Sequence, residues 1–160
     1  MGKLDGKVAI ISGGARGQGA VEAKLFAQEG AKVVFGDIRD DEGRQVEAEI
    51  QELGGDAVYV HLDVTSEAEW QKVVQDTLDR YGKLDILINN AAIIVPRVEI
   101  ENTSADSWDR VFEVNAKSVF LGTKHCIPAM RESGGGSIVN ISSVAGIAQA
   151  YHQEPAYAAS

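Results

Sequence analysis

Val8-Ala9-Ile10-Ile11-Ser12-Gly13-Gly14-Ala15-Arg16-Gly17-Gln18-Gly19 reads as a strand, a glycine turn and the start of a helix. The unbroken apolar run Val8 to Ile11 describes a strand buried on both faces. After Gly19 the spacing turns helical, with Val21, Leu25 and Phe26 on the expected apolar face and Gly30 at the place of a left-handed helix stop. The same alternation continues along the chain. Lys32 to Phe35 is a second strand, and Asp41 to Leu53 a helix with Val46, Ile50 and Leu53 on one face. Ala57 to Leu62 is a third strand, and Ser66-Glu67-Ala68-Glu69 a capping box that opens a helix running to Tyr81-Gly82. Leu84 to Ile88 makes a fourth strand, Asp106 to Met130 one long helix, and Ser137 to Ile141 a fifth strand. Strands separated by helices predict a doubly wound parallel α/β sheet, because parallel neighbours need crossover connections. No repeat or linker interrupts the pattern, so residues 1–160 are expected to form a single domain.

Composition narrows the function. A chain of 160 residues with 44% hydrophobic and 24% charged residues can bury a core. Its net charge of -9 repels phosphate polymers, so no nucleic-acid partner is expected. Apolar runs such as Ala91 to Val95 are far too short to span a bilayer, and Met1-Gly2-Lys3-Leu4-Asp5 has no apolar signal core. A cytoplasmic protein with no membrane partner is the expectation. Cys126 is the only cysteine, which excludes an internal disulfide and a multi-cysteine metal cage; it reads as a small buried residue on a helix. His61, His125 and His152 are too scattered for a metal site, and none is expected. Tyr151 is assigned to a loop on the substrate side, and His152 in the same loop reads as a solvated histidine that could also line the substrate cleft.

The glycine loop is where backbone can approach a pyrophosphate at a helix N-terminus. Glycine turns also serve only to reverse a chain, so a second feature has to carry the reading. Asp37 supplies it: 18 residues after Gly19 and at the end of the second strand, its carboxylate can accept from both hydroxyls of an adenosine ribose. A 2′-phosphate would meet like charge there, which favours NAD over NADP. Arg16 and Arg39 stand close enough in sequence to grip such a phosphate instead, and a strand-end turn is the structural alternative for Asp37.

Further motifs give the chain a specific resemblance. Gly13, Gly17 and Gly19 have the G-x-x-x-G-x-G spacing of the classical short-chain dehydrogenase/reductase family. Asp63-Val64 resembles that family's adenine-contacting pair, and Asn89-Asn90-Ala91-Ala92 its N-N-A-G turn. Asn115 matches the family's helix asparagine, Ser143 the serine delivered by its fifth strand, and Tyr157-Ala158-Ala159-Ser160 the first four positions of Y-x-x-S-K. Ser12 replaces a threonine, Gln18 an aliphatic residue and Ala92 the last glycine of N-N-A-G, while Ser143 precedes Tyr157 by 14 positions, one more than usual. The resemblance implies a Rossmann-type sheet of strand order 3-2-1-4-5, the front portion of the family fold, ending just before the family's lysine. It implies NAD held by Gly13, Arg16, Gly17, Gln18, Gly19, Asp37, Asp63, Val64, Asn90, Ala91 and Tyr157. It also implies a homo-oligomer, tetramer or dimer.

The chemistry implied is hydride exchange between nicotinamide and a secondary alcohol or ketone, with Ser143, Tyr157 and Asn115 as catalytic candidates. A tyrosine ordinarily titrates near 10, so acting at neutral pH requires roughly 4 kcal/mol of phenolate stabilisation. The family's lysine supplies that charge; Ser143 would orient the substrate oxygen and Asn115 would support a water chain. Apolar Ile93, Ile94, Val95, Val144 and Ile147 beside the expected cleft suggest a cyclic or steroid-like substrate. Each candidate also has a plain structural reading, Tyr157 as a helix-start residue, Ser143 as a strand-end hydroxyl and Asn115 as a packing group. Two other functions stay open: an NAD-binding fragment without catalysis, and a methyltransferase with a similar sheet.

Overall fold

A computed structural model describes residues 2–96, 98–147 and 155–160. Five parallel strands lie in the order β3-β2-β1-β4-β5: β1 (Val8–Ser12), β2 (Lys32–Asp37), β3 (Asp56–His61), β4 (Ile86–Asn89) and β5 (Ser137–Asn140). The register pairs Ile10 with Val34 on one side and with Leu87 on the other, so the middle of β1 is the centre of the sheet. Alternation along β1, β2 and β4 feeds two cores, while β5 at the edge is largely exposed. Ile10, Val34 and Leu87 point to one face, where Trp70, Val73, Val74, Leu121 and Met130 cover them. Ile11, Val33, Phe35 and Ile88 point to the other, beneath Ala23, Ala27, Val46 and Ile50. Continuous apolar runs were therefore the right signature of strands covered on both sides.

The covering helices are α1 (Gly17–Gln28) and α2 (Asp40–Glu52) on one face, and α3 (Glu67–Tyr81) and α5 (Ser118–Glu132) on the other. The contact face of α1 differs from expectation. Gly19, Ala20, Ala23 and Ala27 are buried, whereas Val21 and Leu25 are 63% and 51% exposed. A helix that starts directly from a tight glycine turn lies too near the sheet for large side chains, and small residues at helical spacing let it settle. Leu53 is likewise exposed, beyond the end of α2.

Two other local outcomes differ. The expected single helix over residues 106–130 is α4 (Ala105–Phe112) and α5 joined by a π turn, Glu113–Lys117, that contains Asn115. The capping box is half formed: Ser66 Oγ accepts from the Glu69 N–H at 3.3 Å, but Glu69 Oε2 reaches further back and accepts from the Asp63 N–H at 2.6 Å. That second bond fixes the turn after β3. A five-residue helix, α6 (Pro155–Ala159), carries Tyr157. Among the described residues no helix is long and apolar enough to cross a membrane.

Candidate active site

The loop between β1 and α1 is held by backbone bonds to β2, Gly13 N–H and Gly14 N–H both donating to the Gly36 carbonyl at 2.7 and 3.1 Å. Its glycines do different jobs. Gly13 sits at φ +70°, where a Cβ would lie 2.8 Å from Ala91 Cα, and a Cβ on Gly19 would lie 2.2 Å from the Gly13 carbonyl oxygen. Both are demanded by packing. Gly17 sits at φ +56° with no described atom within 4 Å of a Cβ position, so it borders open space at the start of α1. No side chain among the described residues caps that helix and its first turn has no acidic residue, which leaves its N–H groups and partial positive charge for an anion. An open space walled by glycine and helix N–H groups fits a pyrophosphate. Arg16 and Gln18 are exposed at this edge; the Gln18 amide donates to Glu22 at 2.9 Å.

At the end of β2 the Asp37 carboxylate is mounted on backbone: Oδ2 accepts from the Ala15 N–H and Oδ1 from the Arg39 N–H, each at 3.2 Å. Residues to which the sequence assigns no part in the site support it. Tyr59, on the adjacent strand, shares its hydroxyl hydrogen between the Asp37 carbonyl (2.6 Å) and Asp40 Oδ1 (2.8 Å), and His61 Nδ1 lies 2.8 Å from the same oxygen. The hydrogen bond to His61 leads the group of contacts that hold the Asp40 carboxyl below its usual range, and the reciprocal bond raises the His61 pKa. Gly43 was the available signal: a glycine inside a helix is costly, and here a Cβ would lie 2.1 Å from the Tyr59 ring.

Asp63 and Val64 follow β3. Burial pushes the Asp63 carboxyl up, but hydrogen bonds from the Thr65 N–H and hydroxyl outweigh it and the net displacement is downward. Trp70, fully buried, donates its indole N–H to the Val64 carbonyl at 3.0 Å and sets the height of that turn. Beyond β4 the Ser12 hydroxyl accepts from the Asn90 and Ala91 N–H groups, both at 3.1 Å, and Asn90 Nδ2 donates to the Ser12 and Gly13 carbonyls. One small side chain thus couples the turn after β4 to the glycine loop.

A cleft of about 320 Å³ opens beside this turn, at the carboxyl ends of β4 and β5. Asn90, Ala91, Asn115, Ser143 and Tyr157 all line it. Ser143 leads out of β5 and accepts from the Ala145 N–H at 3.1 Å, an acceptor bond that leaves its hydroxyl hydrogen available to a substrate oxygen. Asn115 reaches the cleft from the π turn; its amide hydrogens go to the Ile93 carbonyl and Ser160 Oγ, each at 3.1 Å. Ser160 Oγ in turn donates to the Tyr157 carbonyl at 3.1 Å, so Asn115 braces the helix that carries Tyr157. Ile94, Val144 and Ile147 are exposed but are not among the residues that line this cleft, while Tyr151 and His152 lie outside the described residues. Among the described residues no three His, Cys, Asp or Glu side chains are grouped to hold a metal.

Known proteins are similar to this chain. Residues 7–160 match the family model for short chain dehydrogenases. A 3-alpha-(or 20-beta)-hydroxysteroid dehydrogenase of Mycobacterium tuberculosis is 48% identical over 147 residues, 92% of this chain and 55% of that protein. The cyclopentanol dehydrogenase of Comamonas testosteroni is 44% identical over 147 residues, again 92% of this chain and 58% of the relative. A crystal structure from Burkholderia xenovorans, of a protein assigned to the short-chain dehydrogenase/reductases, superimposes with a TM-score of 0.94 at 33% identity, covering 99% of this chain and 64% of that one. The chain therefore spans rather more than half the length of the proteins it matches. A match that runs through the glycine loop, the turn after β4 and the β5 cleft without interruption has one meaning: the chain belongs to the short-chain dehydrogenase family.

Proposed function

We propose that this chain forms the cofactor site and the proton-transfer cleft of an NAD-dependent dehydrogenase that interconverts a cyclic secondary alcohol and its ketone. The observation that carries the reading is the meeting of Ser143, Tyr157 and the Asn90-Ala91 turn on one cleft, next to a glycine loop open at Gly17. When bound, NAD supplies the carbon that takes up or returns the hydride. Tyr157, as phenolate, takes the alcohol proton during oxidation and, as the phenol so formed, gives it back during reduction. The Ser143 hydroxyl holds the substrate oxygen, and Asn115 acts through Ser160 to keep the turn bearing Tyr157 in place. A cyclic substrate is in keeping with relatives named for a hydroxysteroid and for cyclopentanol.

NAD is favoured over NADP because the Asp37 carboxylate, fixed by the Ala15 and Arg39 N–H groups, stands where a 2′-phosphate would bring like charge. Calorimetric titration at low salt tests this: NAD binds more tightly than NADP, and Asp37→Ala narrows the difference. Tighter NADP binding by the unmodified protein would remove the cofactor assignment. For the chemistry, Tyr157→Phe is expected to lower oxidation of cyclopentanol by about 10²- to 10⁴-fold while NAD binding holds. Unchanged turnover in that variant would end the role given to Tyr157.

A further inference from the structure

We infer that Glu42 is a second specificity-determining residue for the dinucleotide: it occupies the Arg39 guanidinium and so withholds it from a 2′-phosphate. The inference deepens the NAD reading above and rests on it. Arg39 is the cation nearest in sequence to Asp37, and a planar guanidinium is the side chain best shaped to grip a phosphate. Its backbone already donates to Asp37, which fixes where its side chain begins. Its Nη1 lies 2.8 Å from Glu42 Oε1, in the first turn of α2. The same carboxylate feels Arg16, the other loop arginine, and is held below its usual range first by the Arg39 hydrogen bond.

Charge around the pair agrees with this role. Asp37, Asp40, Asp41 and Glu42 crowd this end of the sheet, with Arg16, Arg39 and Arg44 as the opposing cations. His61 and Tyr59 already engage Asp40. A 2′-phosphate would compete with Glu42 for Arg39 and add its own charge to the carboxylates. A carboxylate in a first helical turn also steadies the helix, but such a role changes stability and not the choice between two ligands that differ by one phosphate.

The test is the ratio of NADP to NAD dissociation constants at low ionic strength, measured by calorimetry for the unmodified protein, Glu42→Gln, Arg39→Gln and the double variant. Exposed ion pairs are weak, so Glu42→Gln is expected to shift the ratio toward NADP by about twofold to fivefold. In the Arg39→Gln background the same change should shift the ratio clearly less, because the cation to be released is gone and only the relief of like charge remains. A ratio indifferent to Glu42→Gln, or an equal shift in both backgrounds, overturns the inference. The unmodified protein separates the two failures. If it prefers NADP, the Asp37 reading falls, while Glu42 is still judged on the change in ratio.

Discussion

The Asn115 carboxamide and the Ile93 peptide are bonded in both directions, Oδ1 accepting from the Ile93 N–H at 2.9 Å and Nδ2 donating to its carbonyl at 3.1 Å. A side chain here does what a neighbouring strand would do, tying the π turn between α4 and α5 to the segment after β4. Asn115→Leu leaves both half-buried backbone groups without their partner. It is expected to cost about 2–3 kcal/mol in urea denaturation. Asn115→Asp keeps the acceptor but sets a carboxylate against the Ile93 carbonyl, so it should not restore stability. Wild-type stability in both variants would deny the asparagine this bracing role.

Ser12 presents a similar case at the carboxyl end of the central strand. It is buried, and its hydroxyl oxygen receives two N–H groups from the turn after β4. Ser12→Ala strands those donors and should lower stability by about 1–3 kcal/mol. Ser12→Thr keeps the oxygen and should lose far less. Because the same turn abuts Gly13, the alanine variant is also expected to bind NAD more weakly.

How much of this was legible beforehand follows from the range of each interaction. The five strands follow from apolar runs and glycine turns, signals contained within a few neighbouring residues, while their order was implied by the family resemblance and not by those runs. The Asp37 position was equally plain, since it depends on one strand end. The π turn was not: Val114-Asn115-Ala116 contains no proline or glycine, and the distortion is stabilised by Ile93, 22 residues away. The Tyr59–Asp37 bond was hidden for the same reason, being a contact between adjacent strands. For α1, periodicity pointed to the largest apolar residues, whereas the closeness of the sheet selected the smallest.

Asp85 marks the opposite end of the sheet from the cleft. Its nearly buried carboxylate accepts from the Val8 N–H at 2.9 Å and lies within 3.2 Å of Lys7 and 2.9 Å of Lys83. Burial raises its pKa, but the Lys83, Val8 and Lys7 bonds together outweigh that and lower it from the ordinary 3.8. A carboxyl lowered in the folded state stabilises the fold above its unfolded pKa, and the gain disappears as pH falls through the folded value. Asp85→Asn retains an acceptor for Val8 and leaves two half-exposed lysines that water can solvate. The expected loss is therefore modest, about 1–2 kcal/mol at pH 7. It should vanish in denaturation curves taken well below pH 3.8.

Cys126 is fully buried in the core between α5 and the sheet, and burial pushes its thiol pKa up to about 12. Thiolate is the reactive form. At pH 8 an aromatic disulfide reagent is expected to leave the native protein unmodified and to titrate one thiol in urea. Fast native-state labelling would contradict the packing of this helix.

Gly17 separates folding from binding. At φ +56° an alanine is strained by roughly 1–2 kcal/mol, and that is the whole cost to the fold, since no described atom lies within 4 Å of the added Cβ. The methyl group nevertheless takes up part of the open space at the start of α1, where a pyrophosphate would have to approach. Gly17→Ala is thus expected to shift the urea midpoint slightly and to weaken NAD binding by at least about 100-fold, an amount that strain alone does not produce. Gly43→Ala, which drives a Cβ into the Tyr59 ring, should show the reverse balance: a larger loss of stability than of affinity. If the two variants lost binding and stability in the same proportion, the loop at Gly17 would be serving the fold and not a ligand.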